Sequence, residues 1–161
     1  MSVLDPIDAK IVQFLQRNGR IAQVEIARDV GLAPSAVLER MRKLEARGVI
    51  LGYTAQINPK AVGLGMLAFV AVRTTEVAGE DKVGQDLASV PEVLEVHHVA
   101  GDDCFLVKVR ARDAEHLGEL LKTSIGRISG VRSTRTTIVL GSLKESLELS
   151  IPDPALEEAA S

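Results

Sequence analysis

Aromatic side chains are scarce in this sequence, which contains three Phe, one Tyr and no Trp among 161 residues. Proteins that bind RNA or single strands commonly stack bases on aromatic rings, so the composition argues against that mode of binding. The single cysteine, Cys104, permits no internal disulfide. Together with the lack of a signal peptide, this predicts a cytoplasmic protein. The longest near-apolar run, residues 61–72, is too short and too rich in glycine to cross a membrane.

Motifs of catalysis and metal binding are also missing. The sequence has no Gly-rich phosphate loop, no nucleophile elbow and no His-Glu-x-x-His. His97 and His98 are adjacent in a predicted strand, so their side chains would point to opposite faces, and His116 lies in a separate predicted helix. We therefore predict no catalytic residues, no metal site and no cofactor.

Charge divides the chain into two modules. Residues 1–50 carry eight Lys and Arg against six Asp and Glu, a net charge of +2, whereas the remainder carries eleven against sixteen, a net charge of −5. The apolar content of 46% is enough for ordinary folded cores. A mildly basic module joined to an acidic one is compatible with DNA contact by the first module.

The basic module is predicted to contain three helices. Apolar spacing places helices over 8–16 and 23–30, and a third begins at Pro34 and ends before Gly48. The third helix has Val37, Met41 and Leu44 on one side and a polar, locally basic face opposite. A short helix, a tight turn containing glycine and a second helix with a basic outer face form the helix-turn-helix layout, whose second helix enters the major groove.

Positions on the outer face of the third helix predict the DNA contacts. The N-terminal part of a recognition helix approaches base edges, which assigns Ser35, Ala36 and Glu39 to bases. Glu39 could accept from a cytosine amino group or pair with Lys43 one turn later, and the sequence leaves both interpretations open. The basic side chains are assigned to phosphates, and these are Arg40, Arg42, Lys43 and Arg47.

In the acidic module, apolar residues recur at every second position, as is typical of strands. After a β-rich extended piece over 49–59, strands are predicted over 66–75, 93–100, 104–111 and 131–140, with helices over 80–89 and 114–124. This βαββαβ order is the ferredoxin-like arrangement. The predicted fold class is therefore α+β, a winged-type helix-turn-helix followed by a ferredoxin-like domain. We divide the chain into a DNA-binding domain (1–52), a linker (53–65), a ligand-binding and oligomerisation domain (66–142) and a C-terminal tail (143–161). The tail begins as a possible strand or helix and is expected to fray over 151–161.

Short motifs in a fixed order run along the whole chain. They are Leu4-Asp-x-Ile-Asp8, Asn18-Gly-Arg20, Glu25-Ile-Ala27, Val30-Gly-Leu32, Arg40-x-x-x-Leu44-Glu45, Gly48-Val-Ile50, Gly52-Tyr53, Asn58-Pro59 and Val99-x-Gly101. In this set the sequence resembles the Lrp/AsnC (leucine-responsive and asparagine-responsive, feast/famine) transcription regulators. The resemblance implies a sequence-specific DNA-binding regulator that forms dimers, which assemble into tetramers or octamers. It also implies that a small molecule, commonly an amino acid, shifts assembly or DNA affinity.

The resemblance places the effector near the loop after the second sheet strand, which here contains Gly101, Asp102, Asp103 and Cys104. Hydroxyls on the last strand could meet the ligand across a subunit interface, and these belong to Thr134, Thr136 and Thr137. Gly and Asp also suit a turn for backbone reasons, and Thr is an ordinary strand residue.

Two positions depart from the family pattern. The family often has Asp where this chain has Cys104, so the ammonium of an amino acid would need another partner, such as Asp102 or Asp103. Ala33 stands where the family often has a Ser that caps the recognition helix, and losing such a cap costs about 1 kcal/mol.

Two other functions remain compatible with this architecture. Some proteins that resemble these regulators are haem-pathway decarboxylases acting on a tetrapyrrole, with a histidine such as His97 or His98 available. The second alternative is an assembly or ligand-binding protein that does not bind DNA. The basic recognition helix argues against the enzyme, which would not need one, and a DNA-binding experiment distinguishes the regulator from the second alternative.

Overall fold

The computed structural model describes residues 4–76, 80–101 and 103–152. The described residues fall into a helical unit, made of residues 4–56 with 144–152, and a sheet unit, residues 57–143. Both predicted architectures are confirmed, a helix-turn-helix region and a four-stranded antiparallel sheet with helices. Within the described ranges, no helix has the length and apolar character needed to cross a membrane.

The helical unit contains α1 (Pro6–Arg17), α2 (Gln23–Val30) and α3 (Pro34–Ala46). Helix α1 begins two residues earlier than predicted, because the Asp5 side chain accepts the Asp8 backbone N–H at 2.8 Å and caps the first turn. Helix α2 ends at Gly31, whose φ of 70° provides the left-handed C-cap. Helix α3 begins after Ala33 without a side-chain cap.

One apolar cluster holds the three helices together. Its buried members come from all three helices and are Ile11, Leu15, Ile26, Ala27, Val37 and Leu44. The inward face predicted for α3 is confirmed by Val37 and Leu44, which are fully buried, while Met41 packs at the edge of the cluster. The polar face of α3 is therefore turned away from the core.

The sequence predicted an extended piece over 49–59 that then turns. Residues 51–58 contain no strand, and a 3₁₀ turn follows over Pro59–Val62. The Tyr53 hydroxyl donates to Glu45 Oε1 at 3.0 Å and thereby attaches this segment to the end of α3. Burial, and then the bond to the Glu45 carboxylate, raise the pKa of Tyr53 to about 12.

Part of the C-terminal tail is bound to α1. The Leu149 backbone N–H donates to Gln16 Oε1 at 2.7 Å, and its carbonyl accepts from Gln16 Nε2 at 3.1 Å. Arg17 Nε also lies 3.4 Å from Glu148 Oε1. Because the Gln16 amide satisfies both backbone groups of Leu149, it holds an extended segment that has no strand partner in the described ranges. Residues 153–161 lie outside those ranges.

The sheet unit contains β1 (Met66–Thr74), β2 (Val93–His98), β3 (Phe105–Ala111) and β4 (Val131–Ile138). Their order across the sheet is β2-β3-β1-β4, and all neighbours are antiparallel. Helix α4 (Lys82–Ala88) follows β1, and α5 (Ala114–Glu119) follows β3. The chain then continues through a π-helical turn over Leu120–Ser124 and a 3₁₀ turn over Ile125–Arg127.

The helices pack against one face of the sheet. That face presents Ala68, Val70 and Val72 from β1 and Phe105, Val107, Val109 and Ala111 from β3. Helix side chains cover it, and these include Val83, Leu87, Leu117, Leu120 and Ile125. Because side chains alternate along a strand, β1 sends Leu67, Phe69, Ala71 and Arg73 to the opposite face. We call this second surface the open face.

Candidate functional site

The outer face of α3 is accessible along its length. Ser35, Arg42 and Lys43 are exposed, and Ala36 is half-buried near the helix N-terminus. The Arg42 side chain forms no hydrogen bond or ion pair with the residues that the structure describes. A guanidinium in this position is able to contact a phosphate without first breaking an internal bond.

Glu39 and Lys43 form an ion pair along this face. Lys43 Nζ lies 2.8 Å from Glu39 Oε1, and both side chains are about two-thirds exposed, at 68% and 67%. The hydrogen bond from Lys43, and then its charge, lower the pKa of Glu39. The structure therefore contains the Glu39–Lys43 pair, which the sequence allowed as an alternative to a contact between Glu39 and a cytosine. Because exposed pairs of this kind are weak, the pairing leaves Glu39 able to turn to a base.

Arg40 is bound to two carboxylates at the start of α1. Its Nη1 atom lies 2.7 Å from Asp5 Oδ2 and 2.7 Å from Asp8 Oδ1. These hydrogen bonds raise the pKa of Arg40. The guanidinium is already bound to two carboxylates, which would compete with a phosphate for it.

The partners of Arg40 lie at the beginning of α1. Partial burial acts to raise the pKa of Asp5, but the bonds from the Asp8 backbone N–H and from Arg40 outweigh it and hold that pKa below its ordinary value. Arg47 Nη1 lies 4.0 Å from Asp8 Oδ2, two turns of α3 beyond Arg40. We call Asp5, Asp8 and Arg40 the α1–α3 ion cluster. Sequence reasoning missed it, although the Asp-x-x-Asp spacing at a helix start was visible.

The predicted effector loop lies at one end of the sheet. Gly101 has a φ of 135°, a value that favours glycine, whereas Asp102 lies outside the described residues. Asp103 Oδ2 lies 2.7 Å from Arg135 Nη2, and Asp103 Oδ1 lies 3.3 Å from Arg73 Nε. The Asp103 carboxylate therefore faces two guanidiniums, which compete with any ligand ammonium for it.

Cys104 stands at the entrance to β3. Its backbone N–H donates to the Val72 carbonyl at 2.9 Å. The side chain of Thr74, followed by its backbone, hydrogen-bonds the sulfur and lowers the pKa of the Cys104 thiol. Thr74 was not among the predicted site residues, because the pairing of distant strands brings it to this loop.

The three threonines of β4 do not converge within one chain. Thr134 is opposite Val72 and Thr136 is opposite Val70, so both lie on the helix-covered face. Thr137 is opposite Phe69 and lies on the open face. Val72 is opposite both Thr134 and Phe105, the first residue of β3, so Thr134 lies at the end of the sheet that is next to the loop. Because they lie on opposite faces, Thr134 and Thr137 of the same chain cannot contact one ligand together.

The histidines of β2 point to opposite faces, as the alternation of side chains requires. His98 is opposite Phe105 and stacks on its ring with a centroid distance of 5.0 Å. His97 Nε2 lies 3.2 Å from Glu95 Oε2 on the open face. In the described part of the chain, these two side chains and His116 do not form a metal-binding group.

Comparison with known proteins gives matches along both units. The chain matches the AsnC-type helix-turn-helix domain over residues 4–45 and the Lrp/AsnC ligand binding domain over residues 67–149. It is 44% identical over 149 residues to the HTH-type transcriptional regulator FL11 of Pyrococcus horikoshii, a match that covers 92% of this chain and 97% of that relative.

Two solved structures have the same fold along nearly the whole chain. One is a transcriptional regulator of Neisseria meningitidis in complex with L-Met, with a TM-score of 0.86, 30% identity and coverage of 96% of this chain and 99% of that chain. The other is a feast or famine regulatory protein from M. tuberculosis complexed with L-methionine, with a TM-score of 0.85, 39% identity and coverage of 93% and 100%.

Proposed function

The chain belongs to the Lrp/AsnC family of DNA-binding transcriptional regulators, and from this premise we propose which of its residues bind DNA, form the dimer and bind the effector. The observation that supports DNA contact is the exposed outer face of α3, which lies opposite the buried Val37 and Leu44. A helix-turn-helix protein inserts this face of its second helix into the major groove. We therefore propose double-stranded DNA as the partner and the cytoplasm as the location.

We assign base contacts to the first two turns of α3. Ser35 and Ala36 lie at its N-terminal end, and Glu39 follows one turn later with a side chain that can exchange Lys43 for a cytosine amino group. Arg42, Lys43 and Arg47 are assigned to phosphates, which fix the register of the protein without reading sequence. Arg40 keeps a role in DNA binding, but as a residue that orients α3.

A dimer doubles the reading surface. Two recognition helices about one helical turn apart, or a multiple of it, fit a pseudo-palindromic site. We propose that the open face of the sheet forms the dimer, because β1 contributes apolar side chains to it (Leu67, Phe69 and Ala71), next to the Arg73–Asp103 and Lys108–Glu95 ion pairs. Further assembly to a tetramer or octamer is part of this proposal. Ala71→Lys, at the centre of the face, is expected to give monomers in sedimentation, whereas Lys122→Ala on an exposed turn leaves the dimer intact.

A small-molecule effector is proposed to bind at the loop Gly101 to Cys104. Two relatives are described as complexes with L-methionine, which supports an amino acid as the ligand class. Since Arg73 and Arg135 already face Asp103, these guanidiniums suit the carboxylate of such a ligand. The ammonium requires another acceptor. We propose that Thr134 and Thr136, on the helix-covered face, and Thr137, on the open face, reach the ligand from different subunits of a dimer. A coupling of about 1–3 kcal/mol alters DNA occupancy roughly 5- to 150-fold.

The test of the DNA contact uses a short duplex that the wild-type protein enriches from a random pool. We expect Arg42→Ala to weaken binding to the enriched duplex and to random duplex alike. It should also reduce the slope of log K against log salt by about 0.9 for each phosphate that the variant no longer neutralises. The matched control is Arg28→Ala, an exposed arginine of α2 outside the assigned contacts. An unchanged slope for Arg42→Ala would contradict the phosphate assignment.

The same preparation tests the remaining proposals. Adding each of the twenty amino acids to the protein–DNA complex is expected to identify at least one that changes affinity or the sedimenting species. We propose a regulator without catalytic activity. Mixing the protein with a tetrapyrrole is therefore expected to leave the absorbance of the pigment unchanged over time.

A further inference from the structure

The α1–α3 ion cluster joins the start of the first helix to the recognition helix. We infer that Asp5 and Asp8 set the orientation of α3 through Arg40, so that two acidic residues outside the recognition helix are positioning residues for DNA reading. The inference rests on the proposed function, since it concerns how the same helix is held. According to this inference, sequence-specific DNA binding requires the negative charges of Asp5 and Asp8, although they lie close to the DNA-binding face.

The cluster has a geometry that holds a helix more firmly than an ordinary surface pair does. A single nitrogen, Arg40 Nη1, lies 2.7 Å from an oxygen of each carboxylate. The Asp8 side chain is only 11% exposed and that of Arg40 only 33% exposed. Charge-assisted hydrogen bonds that are partly shielded from water are stronger than exposed ion pairs.

The position of Arg40 on α3 explains why the ion cluster fixes rotation. The buried side chains Val37 and Leu44 lie along one stripe and fix the depth of the helix, but an apolar stripe permits small rotations about the helix axis. Arg40 follows Val37 by three residues and is therefore about 60° round the helix, on its flank. Arg47 lies seven residues further on the same flank and also faces Asp8, at 4.0 Å. The hydrogen bonds of Arg40 on this flank therefore oppose rotation of the outer face.

Positioning of α3 and simple charge repulsion predict opposite effects on DNA affinity when the charge of Asp8 is removed. If Arg40 bound a phosphate, Asp8 would be a negative charge close to the DNA backbone, and removing it would tighten binding. If Asp8 acts by positioning α3, removing its charge releases Arg40 and weakens sequence-specific binding. The sign of the Asp8→Asn effect therefore separates the two explanations.

The experiment measures the affinity of the full chain for two duplexes across a range of salt concentrations. One is a short duplex enriched by the wild-type protein from a random pool, and the other is a random duplex of equal length. The variants are Asp8→Asn, Arg40→Gln, the double variant and Asp5→Asn. Because Asn caps helices as well as Asp does, Asp5→Asn removes the charge and keeps the cap of α1. The matched control is Asp29→Asn, an exposed carboxylate of α2 without an ion pair in the described ranges.

We expect Asp8→Asn to weaken binding to the enriched duplex by about tenfold, the effect of one charge-assisted hydrogen bond. Arg40→Gln should weaken it at least as much, because it removes the bonds to both carboxylates. The double variant should bind no more weakly than Arg40→Gln, because that substitution already removes the bond to Asp8. Binding to random duplex and the salt slope should stay within error of wild type. Asp29→Asn should retain wild-type discrimination. If Asp8→Asn does not fold, as judged by circular dichroism, Asp5→Asn and Arg40→Gln decide the question by the same criteria.

Tighter binding by Asp8→Asn or by Asp5→Asn overturns the inference, as does a salt slope that falls by about 0.9 in Arg40→Gln, the value for one phosphate. Both results would return Arg40 to the phosphates and leave the proposed function standing. Failure of the wild-type protein to enrich any duplex overturns the proposed function itself, and the inference with it.

Discussion

Gly84 provides a sharp test of the packing between α4 and the sheet. A Cβ atom added at this position would lie 2.9 Å from Phe105 Cε1 and 3.1 Å from Cζ. Phe105 is 4% exposed and belongs to the core, so its ring has no open space into which to move. Gly84→Ala therefore combines a favourable change in the helix with a steric conflict in the core.

The two effects differ in size. Replacing glycine by alanine in a helix interior stabilises by roughly 0.5–1 kcal/mol. Forcing an additional carbon into a filled core costs about 1–3 kcal/mol. We expect the conflict to dominate, with a net decrease of about 1–2 kcal/mol in the free energy of unfolding. Gly118 in α5 is the matched control, because an added Cβ there meets nothing within 4 Å. Gly118→Ala should leave stability unchanged or raise it.

The assay is urea unfolding of the full chain, followed by amide hydrogen exchange in β1 and β3. Gly84→Ala should lower the transition midpoint and the protection of these strands, whereas Gly118→Ala should not. In the background Phe105→Leu, which removes the ring, the penalty of Gly84→Ala should largely disappear. A Gly84→Ala protein as stable as wild type in both backgrounds would refute the packing argument.

Three further predictions concern titrating groups. Because burial and the bond to Glu45 favour the neutral phenol of Tyr53, its phenolate absorbance should appear with a midpoint of about 12, and Glu45→Gln should lower that midpoint. Since Thr74 lowers the pKa of the Cys104 thiol, alkylation of Cys104 near pH 8 should be faster in the wild-type protein than in Thr74→Val. The folded pKa of Asp5 is below its unfolded value, so its contribution to stability is complete above about pH 4 and is lost as the pH falls through the folded pKa. Asp5→Asn should remove this part of the acid dependence.

Each of these predictions has a clear contrary result. The chain has one tyrosine and no tryptophan, so a midpoint near 10 in a protein that circular dichroism shows to be folded would contradict the Tyr53–Glu45 bond. Equal alkylation rates with and without the Thr74 hydroxyl would contradict its bond to the sulfur. An acid unfolding profile unchanged by Asp5→Asn would show that Arg40 does not stabilise the Asp5 carboxylate in the folded state.

The secondary structure was predictable because local patterns determine it. The period of about 3.6 in α1 to α3, the alternation along β3 and the Asp113 side chain that accepts the His116 N–H to cap α5 all lie within a few residues. The outer and inner faces of α3 follow from the same periodicity. Local patterns also predicted that His97 and His98 of β2 point to opposite faces.

The partners of charged residues were not predictable, because they depend on contacts between distant segments. Arg40 meets Asp8 across 32 positions, and Arg135 meets Asp103 across the same number. Gln16 binds Leu149 across 133 positions, which changes a predicted tail into a part of the helical unit. Periodicity identifies the face on which a charged side chain lies, but only the folded chain shows which opposite charge lies against it.

The most direct test of the central claim is a measurement of which part of the protein lies in the groove. A DNA-cleaving reagent is attached to Ser35→Cys in a Cys104→Ala background, and the enriched duplex is mapped after cleavage. Attachment at Ala55→Cys, outside the helices, serves as the control. We predict cuts at discrete positions inside the enriched site from residue 35 and none there from residue 55. Cleavage spread evenly along the duplex from residue 35 would contradict the assignment of α3 as the reading helix.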